Sequence, residues 1–205
     1  MKKNVLQLII PLLLITGLVF ASTVNAKKTD YRKISSAKKI NNEETHEAFN
    51  KMMDVLTHKR CVNCHPSDNV PKQGEDSHPH YFGMTRGENN MGYQATKCTT
   101  CHQNENNNFS GVPGAPEWSL APQSMHWEGL SRVEIAKSML NRENNGNRSH
   151  EEVMHHLTEH ALVLWAWTPG VNANGIPREQ PPVPKDEYIK AVKKWFKNGA
   201  IIPEK

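Results

Sequence analysis

Two five-residue segments, CVNCH at 61–65 and CTTCH at 98–102, constrain this chain more than any other feature. Each is a Cys-x-x-Cys-His motif, which is typical of covalent c-type haem attachment. Two thiols at this spacing can form thioethers with both vinyl groups at one edge of a porphyrin, and the histidine that follows can bind the iron as the proximal ligand. All four cysteines of the chain lie in these segments. The sequence therefore predicts two haem c groups and leaves no cysteine for another role.

The attachment residues are predicted to divide between the two haems in chain order. They are Cys61 and Cys64 with proximal ligand His65 for the first haem, and Cys98 and Cys101 with proximal ligand His102 for the second. The alternatives are a four-cysteine zinc site and redox-active thiol pairs. A zinc site of this kind usually has about 15–20 residues between its cysteine pairs, and the loop at 65–97 is longer than that. A zinc site also does not explain why a histidine follows each pair. A thiol redox motif is expected in a strand–helix context, which the sequence does not indicate.

Residues 1–26 have the pattern of a secretory signal peptide. Lys2 and Lys3 precede an apolar run at 5–20, and small residues lead to a predicted cleavage point after Ala26. The run is shorter than the about 20 residues that span a bilayer, so we expect no stable membrane span after cleavage. An uncleaved N-terminal anchor is the alternative. Export to the periplasm agrees with the haem prediction, because c-type haem is attached outside the cytoplasm.

The rest of the chain is predicted to form a flexible polar tail at 27–42 and one dihaem cytochrome c domain at 43–205. The formal net charge is only +4, which does not indicate a nucleic-acid partner. A protein that encloses two porphyrins can have few hydrophobic residues, here 37%, because the rings themselves contribute to the core. Trp118 is expected to pack on a haem.

Apolar periodicity and capping signals predict a mostly α-helical fold with long irregular loops, wrapped around two covalently attached haems. The first predicted helix begins at Glu43, after an Asn42 cap. Three more are predicted: 132–141 and 150–164, each after a capping box, and about 185–197. The first helix should bury one face that contains Phe49, Met52, Met53 and Leu56. Residues 66–97 and 103–122 are rich in Gly, Pro and Asn and are predicted to be irregular, and no strand is predicted.

The face of each iron opposite the proximal histidine decides the function, because a filled face limits a haem to electron transfer and an open face admits a substrate or gas. The surplus of histidines favours histidine as the distal ligand. The candidates are His80, in the loop between the two motifs, His156, on a helix face, and His58, just before the first motif; Met84 is the main rival to His80. His156 and His160, one helical turn apart, could instead form a small metal site.

Several segments together resemble a family of small exported dihaem cytochromes that are identified as accessory subunits of isoquinoline-oxidoreductase-type molybdenum hydroxylases. The segments are CVNCHP at 61–66, SHPH at 77–80, CTTCHQ at 98–103, WEGLS at 127–131 and WAWTPG at 165–170. The layout is also similar to the dihaem subunit of periplasmic nitrate reductase. The resemblance implies ligation by two histidines at each iron, which favours His80 together with an upstream histidine such as His58 or His46.

These patterns predict an electron-transfer protein that is not itself an enzyme. The resemblance implies redox proteins as partners, either a molybdenum-containing oxidoreductase or a membrane quinol-linked cytochrome. A peroxidase-like or reductase-like dihaem enzyme with one open iron is the alternative, as is a haem-based sensor. The sequence assigns Trp127 and the pair Trp165 and Trp167 no role beyond packing.

Overall fold

The computed structural model describes residues 42–204, and most of its regular structure is helical. The predicted signal peptide at 1–26, the tail up to residue 41 and Lys205 lie outside the described residues. From Thr45 onward the chain belongs to one compact unit. The expectation of a mostly helical domain with long irregular connections is confirmed at this level. No helix within the described range has the length and apolar content needed to cross a bilayer.

The first described helix, α1, covers residues 42–56. Its predicted apolar face is confirmed, because Phe49, Met52, Met53 and Leu56 are all buried. The spacing i, i+3, i+4 and i+7 places them on one side of the helix. The predicted Asn42 cap is wrong. A capping residue has non-helical backbone angles, whereas residue 42 is already part of the helix.

Two short antiparallel hairpins interrupt the irregular region between the motifs. Helix α2, at Lys59–Val62, carries the first cysteine of the first motif, and a 3₁₀ turn at Cys98–Thr100 begins the second. The hairpins pair β1, Lys72–Gln73, with β2, His78–Pro79, and β3, Gly92–Tyr93, with β4, Thr96–Lys97. They contradict the expectation of no strands. Strands of two residues are too short to show an alternating pattern in the sequence.

Both predicted capping boxes are present. Helix α3, Arg132–Leu140, begins after Ser131, whose hydroxyl accepts from the backbone N–H of Glu134. Helix α4, His150–Glu159, begins after Ser149 in the same way, with the Glu152 side chain accepting from the Ser149 backbone N–H. Each box gives a side-chain acceptor to two backbone N–H groups at the helix N-terminus that would otherwise have no partner.

The helix predicted at 150–164 is interrupted at His160. That residue has extended angles, φ −70° and ψ 127°, and a second helix, α5, covers Ala161–Leu164 before a 3₁₀ turn at Trp165–Trp167. The His160 ring bonds to the Glu117 carboxylate, with Nε2 to Oε2 at 2.9 Å. Local periodicity favours one continuous helix, but a contact with a residue distant in sequence accompanies the break.

The hydrophobic core lies among α1, α3, α4 and the last helix, α6, at Lys185–Lys197. Tyr188, Val192 and Trp195 of α6 are completely buried in it. The indole N–H of Trp195 donates to the carbonyl of Ile201 at 2.8 Å, so its polar atom is satisfied. Cys61 packs against the edge of this core. The first Cys-x-x-Cys-His motif therefore adjoins the hydrophobic core.

We expect Ser149→Ala to lower the free energy of unfolding by about 1 kcal/mol, because the substitution removes the side-chain acceptor that caps α4. Chemical denaturation followed by circular dichroism measures the change. Ser149→Asn is the control, since its side-chain oxygen can still accept from the helix N-terminus. Equal losses in both variants would contradict a capping role.

Candidate functional site

The imidazole of His65 is held on one ring nitrogen and on one face. Its Nδ1 lies 2.6 Å from the carbonyl oxygen of Met125. Because a carbonyl can only accept, Nδ1 carries the proton and the lone pair is on Nε2. The indole of Trp127 stacks on the ring, with centroids 3.6 Å apart and planes 10° apart. A ring held in this way presents Nε2 as a metal ligand in one fixed orientation.

His102 of the second motif has the same arrangement. Its Nδ1 lies 2.7 Å from the carbonyl oxygen of Pro113, which assigns the proton to Nδ1 and the lone pair to Nε2. Trp118 stacks on the ring with centroids 4.5 Å apart and planes 8° apart. The two motifs thus repeat not only in sequence but also in the way the tertiary structure anchors the histidine.

One irregular segment, residues 113–127, supplies all four of these partners. It provides both accepting carbonyls and both stacking indoles. Its backbone also joins the first motif, because the N–H of Ala121 donates to the carbonyl of Cys64 at 3.0 Å and that of Trp127 donates to the carbonyl of His65 at 2.9 Å. Sequence reasoning placed Trp118 near a haem but missed the role of Trp127. Carbonyls in an irregular segment give no periodic signal.

The Asn106 side chain hydrogen-bonds the loop after the second motif to the segment that contains Trp165 and Thr168. Its side-chain oxygen accepts from the Trp165 indole N–H at 2.8 Å and from the backbone N–H of Gly114 at 3.0 Å. Its amide donates to the carbonyl of Thr168 at 2.7 Å. Trp165 packs edge-on against Trp118, with centroids 5.0 Å apart, and also lines the cleft of the first motif. Trp165 therefore has a positioning role that its sequence context did not reveal.

A cleft opens beside the first motif, with an empty volume of about 1210 Å³ when the part open to solvent is included. Cys61, Cys64 and His65 line one part of it, and His156 also lines it. Much of the remaining lining is apolar, including Leu56, Leu120, Met139, Val153, Leu157 and Leu162. Mostly apolar walls with a few convergent polar groups are typical of a cofactor site. The donor set and the apolar walls fit a haem attached at this motif.

The apolar surroundings also act on the thiols. Burial raises the pKa of the Cys61 thiol to about 12 and that of the Cys64 thiol to about 11. The charge of Cys98 contributes to the higher pKa of Cys64. Backbone hydrogen bonds connect the two motifs: Ala121 donates to the carbonyl of Cys64, while its neighbour Leu120 donates to that of Asn90, next to Met91, whose carbonyl accepts from the N–H of Cys98.

His156 is the histidine of α4 that enters the cleft. Burial is the main reason that its pKa is lowered to about 4, and the same cause lowers the pKa of His65 to about 4. The charge of each neighbouring histidine adds to the effect, His160 on His156 and His156 on His65. Neither nitrogen of His156 hydrogen-bonds to another residue in the described part of the chain. A neutral imidazole with free nitrogens is suited to bind iron.

His80 lies across from His102. The two ring centroids are 6.0 Å apart and the planes differ by 73°. Nδ1 of His80 lies 2.8 Å from the carbonyl oxygen of Tyr81, so the free lone pair is on Nε2, as in both motif histidines. The two rings lie edge to face, so both are candidates to hold one iron.

His58 is used differently. Its Nδ1 accepts from the backbone N–H of Arg60 at 3.3 Å and caps α2, while Nε2 lies 3.2 Å from the Glu179 carboxylate. Both ring nitrogens are engaged, which favours a structural role over iron ligation. Burial lowers the pKa of His58. As a distal ligand, His58 stays a prediction, with less geometric support than His80 or His156.

Other metal sites find no support in the geometry. All four cysteines are free thiols. Between residues 42 and 204, no group of three or more His, Cys, Asp or Glu side chains converges as metal ligands would. This covers both the four-cysteine zinc site and a site built on His156 and His160, whose rings lie 4.7 Å apart.

Comparison with family models, curated proteins and solved structures found no match for this chain. The resemblance of its segments to small exported dihaem cytochromes therefore stays a prediction.

We expect Gly114→Ala to destabilise the loop that anchors His102. A Cβ at Gly114 would lie 2.2 Å from the carbonyl oxygen of Glu105 and 2.4 Å from that of Gln103. Both are backbone atoms and cannot rotate away, so we expect a loss of about 1–3 kcal/mol in the free energy of unfolding. Thermal or denaturant unfolding measures it.

The control is Gly175→Ala. Gly175 has a left-handed φ of 74° with nothing within 4 Å of the added Cβ, so only the backbone preference is lost, about 1 kcal/mol. A smaller loss for Gly114→Ala than for this control would show that close backbone approach is not what requires glycine at position 114.

Proposed function

We propose that this chain is a dihaem cytochrome c that transfers single electrons between redox partner proteins. The observation that carries the proposal is the repeated anchoring of the motif histidines. Each follows a Cys-x-x-Cys pair, donates Nδ1–H to a backbone carbonyl, stacks on a tryptophan and leaves Nε2 free. Hydrogen-bonding the remote nitrogen to fix ring orientation is what protein metal ligands commonly do.

We infer that the first haem is attached to Cys61 and Cys64 and the second to Cys98 and Cys101. His65 and His156 would hold the first iron, and His102 and His80 would hold the second. Haem c supplies an iron that alternates between the ferric and ferrous states. The role of this chain is to keep both ligands of each iron in place in either state and to limit the access of water to the ring.

The proposed arrangement also explains why the chain would be a carrier. Two imidazoles at each iron would leave no position for a substrate, and the segment 113–127 that binds both motifs would keep the two haems near each other. We propose export to the periplasm and, as partners, a molybdenum-containing oxidoreductase or a membrane quinol-linked cytochrome.

Intact-mass measurement tests haem attachment. We expect the protein, made in cells competent to mature c-type cytochromes, to carry two haem masses, and the double variant Cys61→Ser, Cys64→Ser to carry one. The covalent link should survive denaturing electrophoresis and give a haem stain. A wild-type chain with no added mass would end the proposal.

Axial ligation is tested by removing one imidazole at a time. We expect His156→Ala and His80→Ala each to convert one of the two haems from low spin to high spin in low-temperature electron paramagnetic resonance. His155→Ala and His78→Ala are matched controls, because His155 lies next to His156 on α4 and pairs with Glu159, and His78 lies two residues before His80 and pairs with Asp76. A spectrum unchanged in His156→Ala or His80→Ala would contradict that residue as a ligand.

Carbon monoxide separates a carrier from an enzyme with an open iron. We expect the reduced wild-type protein to show no rapid spectral change with carbon monoxide, since both irons are six-coordinate in this proposal. We expect the two alanine variants above to bind it at one haem. Rapid binding by the wild type would favour the peroxidase-like or reductase-like alternative.

A further inference from the structure

Arg148 lines the first cleft without a carboxylate partner. The cleft lining contains two arginines, Arg60 and Arg148. Arg60 forms an ion pair with Glu75, and its Nε donates to the carbonyl of Glu179 at 2.8 Å. Arg148 donates from Nη1 to the backbone carbonyl of Asn145 at 2.8 Å, and no carboxylate in the described range forms an ion pair with it. The Arg148 guanidinium therefore lies at an apolar cleft and has N–H groups that no carboxylate in the described range accepts from.

The loop that carries Arg148 is built around a buried amide. Asn145 is 2% exposed. Its side chain accepts from the backbone N–H of Arg148 at 2.8 Å and donates to the carbonyls of Met139 and Arg148 at 2.9 and 3.2 Å. Gly146 and Asn147 complete the turn with left-handed φ values of 76° and 63°. The backbone position of Arg148 is therefore set by the fold and needs no ion pair.

Two of the carboxylates near Arg148 are engaged with other groups. Glu152 accepts from the backbone N–H of Ser149 at 2.7 Å as part of the capping box. Glu117, which lines the same cleft, bonds to His160 at 2.9 Å. An anion that enters the cleft would therefore find Arg148 available.

The position of Arg148 relative to the cysteines suggests which anion this is. Cys61 packs against the hydrophobic core, whereas Arg148 is exposed and also lines a shallow depression on the outer surface beside Glu151 and His155. A haem attached at Cys61 and Cys64 would have its thioether edge at the core side and its propionate edge toward the mouth. We propose that Arg148 binds a propionate of the haem attached at the first motif, an inference that rests on the proposed function.

The guanidinium of Arg148 and a haem propionate are chemically complementary. The planar guanidinium matches a carboxylate with two parallel hydrogen bonds, and an unpaired carboxylate at the edge of an apolar cleft is unfavourable. A cation beside the propionate offsets its negative charge, so the ferrous state is favoured relative to the ferric state. Arg148 should therefore raise the midpoint potential of the first haem and have little effect on the second.

The test compares Arg148→Gln and Arg148→Lys with Arg142→Gln. Arg142 is in the same loop and is exposed, but it donates to the carbonyl of Asn147 and does not line the cleft. All three variants are purified with haem attached, and their haem content is checked by intact mass. Redox titration gives the midpoint potential of each haem, and resonance Raman spectroscopy gives the propionate bending vibration.

We expect Arg148→Gln to shift the ferrous-to-ferric equilibrium of one haem about threefold to tenfold toward ferric, which is a potential lower by roughly 28 to 59 mV at 59 mV per tenfold. The propionate vibration should shift as well. Arg148→Lys should keep most of the potential but alter the vibration, because an ammonium lacks the planar fork. Arg142→Gln should change neither.

A dihaem Arg148→Gln protein with unshifted potentials and an unshifted propionate vibration would overturn the inference and leave the proposed function intact. Equal shifts of both haems, matched by Arg142→Gln, would likewise overturn it, because they indicate a general charge effect. If Arg148→Gln does not retain its haem, the vibration in Arg148→Lys decides. Absence of haem from the wild type would instead overturn the proposed function.

Discussion

Two hydrogen bonds, from Nδ1 of His65 to Met125 and from Nδ1 of His102 to Pro113, are the contacts on which the arrangement of the site depends. Each fixes one tautomer and one ring orientation, and each ties a Cys-x-x-Cys-His motif to the segment 113–127. That segment has little regular structure of its own. Its order comes from these bonds, from the stacked indoles and from the backbone bonds to the first motif. Displacement of the segment would disturb both imidazoles at once.

The two motifs have different surroundings although their histidines are anchored alike. The first is built on the hydrophobic core and opens into an apolar cleft. The second follows a short hairpin, and its Cys101 is exposed. Tyr81 and Phe82, directly after His80, are also largely exposed, at 62% and 89%. Solvent exposure is one of the factors that set a haem potential. Under the proposed function, the two haems should therefore differ in potential.

Helices were predictable where the sequence carries its own signals. The capping boxes at Ser131 and Ser149 and the apolar face of α1 are local patterns, and all three are present. The wrong predictions concern helix ends and breaks that local sequence patterns do not determine. Residue 42 shares its polar character with its neighbours and lies inside the helix, and the break at His160 coincides with a contact to Glu117, 43 positions away. The two-residue strands are too short for any periodicity.

The sequence by itself determined the chemistry that is available: two thiol pairs, a histidine after each, and a surplus of further histidines. It also determined where α3 and α4 begin and which face of α1 is buried, because capping and amphipathic spacing act over a few residues. Only the tertiary structure decided which imidazoles meet. It brings His80 to His102, directs His156 into the cleft of the first motif and engages both nitrogens of His58 elsewhere. The physical reason is that these pairings depend on carbonyls, indoles and loop paths distant in the chain, which no local spacing encodes.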